Sequence, residues 1–114
     1  MDILRFQARD LTPYGEYLQP SALVEGETYF AVHFLDDQML VPELDPLVFI
    51  GRNLEPSDSG RLYFQDAASY MSGIRYRDGS NAEIHVVDET APFVFEFEKA
   101  LDELLRCSIR RQRK

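Results

Sequence analysis

The residues with the clearest potential for chemistry are the two histidines, His33 and His85, which are both followed by carboxylates. A catalytic histidine needs a reactant at one ring nitrogen and an orienting acid at the other. Asp36 and Asp37 follow His33, and Asp88 follows His85. One reading is therefore a small-ligand-binding or hydrolytic barrel that uses either histidine with a nearby carboxylate. The other is a structural histidine, which we prefer because an acidic chain places carboxylates near almost every residue.

No other pattern indicates catalysis. No serine lies in a Gly-x-Ser-x-Gly context, and the glycines form neither a dinucleotide-binding nor a phosphate-binding loop. Cys107 lies late in a predicted helix, where the helix dipole opposes a thiolate. The acids after the first histidine lack the spacing of a calcium loop and are interpreted as a solvated turn: Asp36, Asp37, Glu43 and Asp45. The sequence favours a protein that is not an enzyme and that uses neither a metal nor a cofactor.

Four tyrosines are candidates for lining a ligand pocket: Tyr14, Tyr17, Tyr29 and Tyr63. Residues 10–26 contain two prolines and two glycines, which predicts an irregular segment pinned by aromatic side chains. We prefer the role of anchor for Tyr14 and Tyr17, because a buried tyrosine contributes apolar area and needs only one partner for its hydroxyl. No string of residues carries a specific family motif.

The elements that must position these residues are predicted strands around residues 28–50. The runs at 28–35 and 47–50 are apolar on both alternating faces, which is typical of strands covered on both sides. A polar reversal at 36–38 leads into a short return strand at 39–41, which Pro42 is expected to end, and 43–46 is expected to be a loop.

The remaining strands are predicted from alternation and from turn residues. They lie at 3–9, 61–65, 74–77 and 82–87, and the last two are joined by a turn at 78–81. The segment from Asp66 to Gly73 is predicted to be either a short helical stretch or a bent continuation of the strand.

The last third of the chain is predicted to be helical. Phe97, Leu101, Leu104 and Leu105 follow helical spacing, with acids early and arginines late, as the helix dipole favours. Residues 92–96 are either a last strand or the beginning of this helix. The predicted fold is α+β and mainly β, an antiparallel meander of about six or seven short strands that is barrel-like or strongly twisted and is closed by the C-terminal helix.

Length and composition predict one domain spanning residues 1–114. A chain of 114 residues that is 45% apolar can bury its own core. A single cysteine argues against a disulfide framework and for a reducing compartment. No signal sequence and no membrane-spanning stretch is visible, so we expect a cytoplasmic protein.

The net charge of −8 is unevenly distributed. Five of the twelve basic residues lie in the last nine positions, so residues 1–105 carry all twenty acids against seven basic residues, a formal charge of −13. Residues 110–114 are expected to form a flexible basic tail. The acidic body would repel a polyanion, which argues against nucleic-acid binding despite this tail.

The leading functional hypothesis is a small cytoplasmic protein-interaction module, such as an adaptor, an inhibitor or a regulatory subunit, that binds a protein partner through its acidic surface. The C-terminal helix offers more apolar surface than a small sheet needs, so a homodimer is also expected. The candidate interface residues are Leu101, Leu104, Leu105, Ile109, Arg110 and Arg111.

Overall fold

The computed structural model describes residues 2–78 and 82–113. Within these residues the chain forms four strands, named β1 (Thr28–Phe34), β2 (Pro42–Arg52), β3 (Arg61–Asp66) and β4 (Ile84–Asp88). It also forms two α-helices, α1 (Ala67–Met71) and α2 (Phe97–Gln112), and 3-10 turns at Pro20–Ala22 and Tyr76–Asp78. The α+β class and the C-terminal helix are therefore confirmed.

The strands form one antiparallel sheet in the order β1-β2-β3-β4, so each strand pairs with the next one along the chain. The sheet is a meander, as predicted, but it stays open. Within the described residues, the predicted count of six or seven strands is wrong, and the barrel-like form is not found. Of the residues that the sequence assigned to extra strands, 74–77 instead cross one face of the sheet, and 3–9 lie along α2.

Strand β2 is longer than the sequence predicts, because it begins at Pro42, which was expected to end a strand, and includes the stretch 43–46 that was expected to be a loop. Pro42 pairs with Phe34 and Pro46 pairs with Phe30. The pairing of β2 with β3 begins only at Leu47, so residues 42–46 have a neighbouring strand on one side alone. Proline lacks an N–H, and it is tolerated in a strand where no neighbour needs that donor. The return strand expected at 39–41 thus begins at Pro42 instead.

The strand predicted at residues 3–9 does not form. Its apolar alternation suggested a half-buried strand, yet the side chains of Leu4 and Phe6 are 91% and 95% exposed. Arg9 binds carboxylates of α2, which draws this segment along the helix and away from the sheet. Side-chain alternation alone does not produce a strand, because a strand also needs a neighbouring strand for its backbone hydrogen bonds.

The strand predicted at 74–77 is also absent, although β4 confirms the one predicted at 82–87. Ile74 O accepts a hydrogen bond from the Gln65 side chain, and the Tyr76 ring meets the Tyr63 ring edge-on at 5.4 Å. These contacts fold the segment across the sheet. The turn predicted at 78–81 falls largely on residues 79–81, which lie outside the described residues.

Helix α1 is the short helical stretch that was one of the two alternatives after β3. The Asp66 carboxylate caps it by accepting the Ser69 N–H at 2.9 Å, and it also accepts the Glu83 N–H at 2.8 Å. Burial raises the pKa of Asp66, but these hydrogen bonds to the ionised form outweigh burial and hold the pKa below its usual value.

The hydrophobic core lies on one face of the sheet. The Phe49 and Phe64 rings lie 5.4 Å apart across β2 and β3, and the Phe93 ring packs on Phe64 at the same separation. The buried residues of this core are Leu23, Tyr29, Ala31, Leu47, Phe49, Leu62, Phe64 and Val94. The coil segments before β1 and after β4 cover this face.

The opposite face of the sheet is covered by α2 and by residues 69–77. The Phe30 ring of β1 meets the Phe97 ring edge-on at 5.4 Å, and α2 begins at Phe97. Phe95 forms an isolated bridge with Phe30, donating and accepting one backbone hydrogen bond each. The ambiguous segment 92–96 is therefore neither a full strand nor helix, and it holds the beginning of α2 against β1.

Candidate functional site

Helix α2 has two apolar sides, of which only one is buried. Ala100 and Cys107 face the sheet and are buried. A second stripe recurs every four residues on the outward side and consists of Phe97, Leu101, Leu105 and Ile109, which we call the α2 stripe. Phe97 is 67% exposed, and Leu105 and Ile109 are each 37% exposed. The sheet therefore leaves much of this stripe uncovered, although Leu101 is half-buried and the Phe97 ring contacts Phe30 of β1.

The N-terminal segment is fixed beside this stripe by polar contacts. Arg9 Nε and Nη2 donate to the two oxygens of Asp102 at 2.7 and 3.1 Å, and Arg9 Nη1 donates to Glu98 at 3.1 Å. Farther along, Arg106 Nε donates to Thr12 O at 2.8 Å. The hydrogen bond from Arg9 holds the pKa of Asp102 below its usual value, although burial opposes this.

Replacing Asp102 with Asn should lower the free energy of unfolding at pH 7 by about 1–2 kcal/mol, because Arg9 loses its bidentate partner. The folded-state pKa of Asp102 lies below the value of about 3.9 for an unfolded aspartate. The contribution is therefore fully present above that pH and is lost as the pH falls through the folded-state pKa. Urea unfolding between pH 7 and pH 3 should show a steeper acid loss for the wild type than for Asp102→Asn. Parallel pH profiles would contradict this assignment.

An apolar groove lies between the N-terminal segment and the α2 stripe. It has a volume of about 380 Å³ and is lined mainly by Phe6, Phe97, Leu101 and Leu105. Phe6 is almost fully exposed, so it forms a projecting wall of the groove. Phe6 and Phe97 were not among the predicted interface residues. The signal available in the sequence was the apolar alternation at 3–9, which was interpreted as a strand.

The other predicted interface residues differ in their surroundings. Leu104 lies beside Pro42 and Cys107, toward the sheet rather than along the α2 stripe. Arg110 donates twice to Met39 O, at 3.0 and 2.9 Å, and its guanidinium lies 5.1 Å from the centre of the Phe34 ring. Arg111 is exposed, and α2 continues to Gln112 through much of the expected basic tail.

The two histidines lie on the core face of the sheet and flank one aromatic side chain. The centres of the His33 and His85 rings lie 6.3 and 6.0 Å from that of Phe93. His33 Nε2 is 3.7 Å from an Asp45 oxygen, and His85 Nε2 is 3.1 Å from a Glu83 oxygen. Each histidine thus has one carboxylate neighbour, and a cavity of about 160 Å³ lies beside His85. A catalytic role for either histidine stays a prediction.

Asp36 and Asp37 occupy the reversal after β1. The Asp36 carboxylate accepts the backbone N–H groups of Leu40 and Val41 at 2.9 and 2.8 Å, which is the bonding of a structural turn. Asp37 is exposed. Within residues 2–78 and 82–113, no group of three or more His, Cys, Asp or Glu side chains is placed to hold a metal ion.

The four candidate tyrosines lie in different surroundings. Tyr14 is exposed, and Tyr17 stacks on Phe95 with ring centres 4.2 Å apart. The Tyr29 hydroxyl accepts the Val24 N–H at 2.9 Å, so this tyrosine anchors the loop before β1. The Tyr63 hydroxyl donates to Asp58, and this hydrogen bond raises the pKa of Tyr63 to about 12.

Helix α2 is the longest helix of the described residues, and none of these helices combines the length and the apolar character needed to cross a membrane. The groove beside the α2 stripe and the surroundings of the two histidines are thus the features from which a function can be argued. The choice between them rests on geometry, because comparison of the chain with protein-family models, with curated proteins and with solved structures finds no match.

Proposed function

We propose that this chain is a non-enzymatic protein-interaction module, in the role of an adaptor, an inhibitor or a regulatory subunit. It forms a homodimer through the α2 stripe and binds a basic protein partner through its acidic surface. The observation that carries the proposal is the exposed apolar surface formed by Phe6 and the α2 stripe. Extended apolar surface on a small protein is typical of an interaction site, because leaving it in water is unfavourable.

A second copy of the chain suits this surface because α2 is electrostatically complementary to itself. The first turns of α2 carry Glu98, and the last turns carry the exposed Arg111 and Arg113. A two-fold axis that packs two α2 stripes antiparallel places the acidic half of each helix against the basic half of the other. The same pairing buries the apolar stripes against each other.

The size of the surface supports a dimer interface that includes the N-terminal segment. Helix α2 has 16 residues and is about 24 Å long. One face of such a helix is smaller than the roughly 800 Å² per partner that a stable interface buries. Ile3, Leu4 and Phe6 are all strongly exposed, and we expect them to add the missing apolar area.

The rest of the surface is suited to a basic partner. Many acids outside α2 are exposed to solvent, among them Glu25, Glu27, Asp37, Glu43, Glu83, Asp88 and Glu89. A surface of one predominant charge attracts an oppositely charged protein over a distance and speeds their encounter. Cys107 is a buried free thiol, which supports the reducing cytoplasmic compartment that we expect.

Capture from a nuclease-treated native extract tests the binding of a partner. The full chain should recover a defined basic protein at about 0.05 M salt and lose most of it at about 0.5 M, because salt screens attraction between exposed charges. A variant with both His33→Gln and His85→Gln should recover the same protein, since neither histidine belongs to the proposed surface. Recovery of nothing but the chain itself, or equal recovery at both salt concentrations, would refute the acidic-surface proposal.

A further inference from the structure

A second cavity lies where residues 69–77 cross strands β2 and β3, away from the α2 stripe. Its volume is about 470 Å³. The apolar part of its wall includes Leu54, Tyr70 and Tyr76. Aromatic and aliphatic side chains of this kind are typical of small-molecule sites, in which a few polar groups set the orientation of the ligand.

One of these polar groups is the side chain of Gln65, which is fully buried and lines the cavity. Its Nε2 donates to Ser69 Oγ and to Ile74 O, both at 2.9 Å. Because the Ile74 carbonyl can only accept, this contact fixes which end of the amide is the nitrogen. Gln65 Oε1 is buried and has no hydrogen-bond partner among the described residues. An unpaired buried acceptor is unfavourable, so a ligand donor that reached Gln65 Oε1 would remove this cost.

Two charged side chains at the same cavity form no ion pair with any other described residue. Arg75 donates from its guanidinium to the carbonyls of Tyr70 and Ile74, and it lies 3.9 Å from the centre of the Tyr70 ring. Among the described residues, neither Arg75 nor Glu25 forms an ion pair. By contrast, Arg77 pairs with Glu55 at 3.4 Å. Within residues 2–78 and 82–113, the cavity therefore has one positive and one negative side chain that lack an ion-pair partner.

We propose that this cavity binds an aromatic amino acid whose ring carries an N–H or O–H donor. The ring lies against the tyrosines, and its donor bonds to Gln65 Oε1. The carboxylate of the ligand pairs with Arg75, and its ammonium pairs with Glu25. This set of contacts places complementary groups at both ends of the ligand, which a purely apolar or singly charged molecule lacks.

Calorimetric titration with L-tryptophan and three analogues tests each contact separately. Tryptophan should bind saturably with a Kd below about 1 mM. Binding should weaken by about tenfold or more for 3-(3-benzothienyl)-L-alanine, which lacks the ring N–H, for tryptamine, which lacks the carboxylate, and for indole-3-propionate, which lacks the ammonium. No saturable binding of tryptophan at about 5 mM, or equal binding of any one analogue, would overturn the assignment.

Substitutions of exposed residues locate the bound ligand without disturbing the hydrophobic core. Glu25→Gln and Arg75→Gln should each weaken tryptophan binding about fivefold or more, since each removes one charge of the site. Glu27→Gln and Arg5→Gln are the matched controls, because both side chains are exposed and neither lines the cavity. Equal effects of the site variants and their controls would overturn the proposed location. A monomeric variant in the α2 stripe should bind tryptophan as the wild type does, so this inference can fail independently of the dimer.

Discussion

Replacing Leu105 with Glu is expected to convert the protein from dimer to monomer, with at least a 100-fold increase in the dissociation constant. Leu105 lies near the middle of the α2 stripe, so a two-fold dimer buries it twice. A carboxylate at that position must lose its water without gaining a partner, which costs several kcal/mol. A loss of about 3 kcal/mol corresponds to a factor of about 100 in the dissociation constant. Sedimentation velocity over a range of concentrations measures this shift.

The matched control for this substitution is Leu35→Glu. Leu35 is also an exposed leucine, but it lies at the reversal after β1 and outside the α2 stripe. The substitution Leu35→Glu introduces the same charge. It should leave the dissociation constant of the dimer within a factor of about two of the wild-type value, since surface changes away from specific contacts have small effects. Similar circular dichroism spectra for both variants would show that each one folds. Equal effects of the two substitutions on association would mean that the α2 stripe is not the interface.

Replacing Phe64 with Ala is expected to lower the free energy of unfolding by about 3–5 kcal/mol. Phe64 is fully buried, and its ring contacts both Phe49 and Phe93 at the centre of the core. Truncation removes buried apolar area and leaves a cavity that the paired strands β2 and β3 cannot readily fill. Urea unfolding at one fixed protein concentration measures the loss, because the apparent stability of a dimer depends on concentration.

The control for Phe64 is Val86→Ala in the neighbouring strand β4. Val86 is about half exposed, so its truncation should cost less than about 1 kcal/mol. If Phe64→Ala costs no more than Val86→Ala, the core is not organised around Phe64, and the arrangement of aromatic rings on this face of the sheet is wrong.

The central strands and the C-terminal helix could be predicted because their local patterns agree with their tertiary surroundings. The apolar run of β1 is covered by the core on one face and by α2 on the other, as its composition suggests. Helix α2 combines helical spacing with Glu98 in its first turn and Arg110 and Arg111 in its last turn. Local preference and burial point to the same structure in both elements.

The mistaken assignments arise where a tertiary contact overrides the local pattern. Residues 3–9 alternate like a strand, but the ion pair of Arg9 with Asp102 holds the segment along α2. Pro42 and Pro46 suggested a break in the strand. At these positions, however, the side of β2 that faces away from β1 has no neighbouring strand, so the N–H that proline lacks is not needed for pairing. Neither the partner of Arg9 nor the one-sided pairing of β2 is visible in a single sequence.

The candidate site could be predicted only in part. Helical spacing identified Leu101, Leu105 and Ile109, but Phe6 joins them through a fold of the N-terminal segment that the pattern did not indicate. The cavity at Gln65 was not predicted at all, because it is assembled from β3 and from a segment that was interpreted as a strand. Residues from distant parts of the chain form a cavity only once the topology is known.

The most direct test of the proposed homodimer is sedimentation equilibrium of the unmodified chain between about 1 and 200 µM, a range in which a dimer with a micromolar dissociation constant is partly dissociated. The weight-average mass should rise with concentration toward twice the chain mass of 13.2 kDa and should stop there, since a two-fold interface closes on itself. A mass of 13.2 kDa at every concentration would contradict the proposal that a second copy covers the α2 stripe.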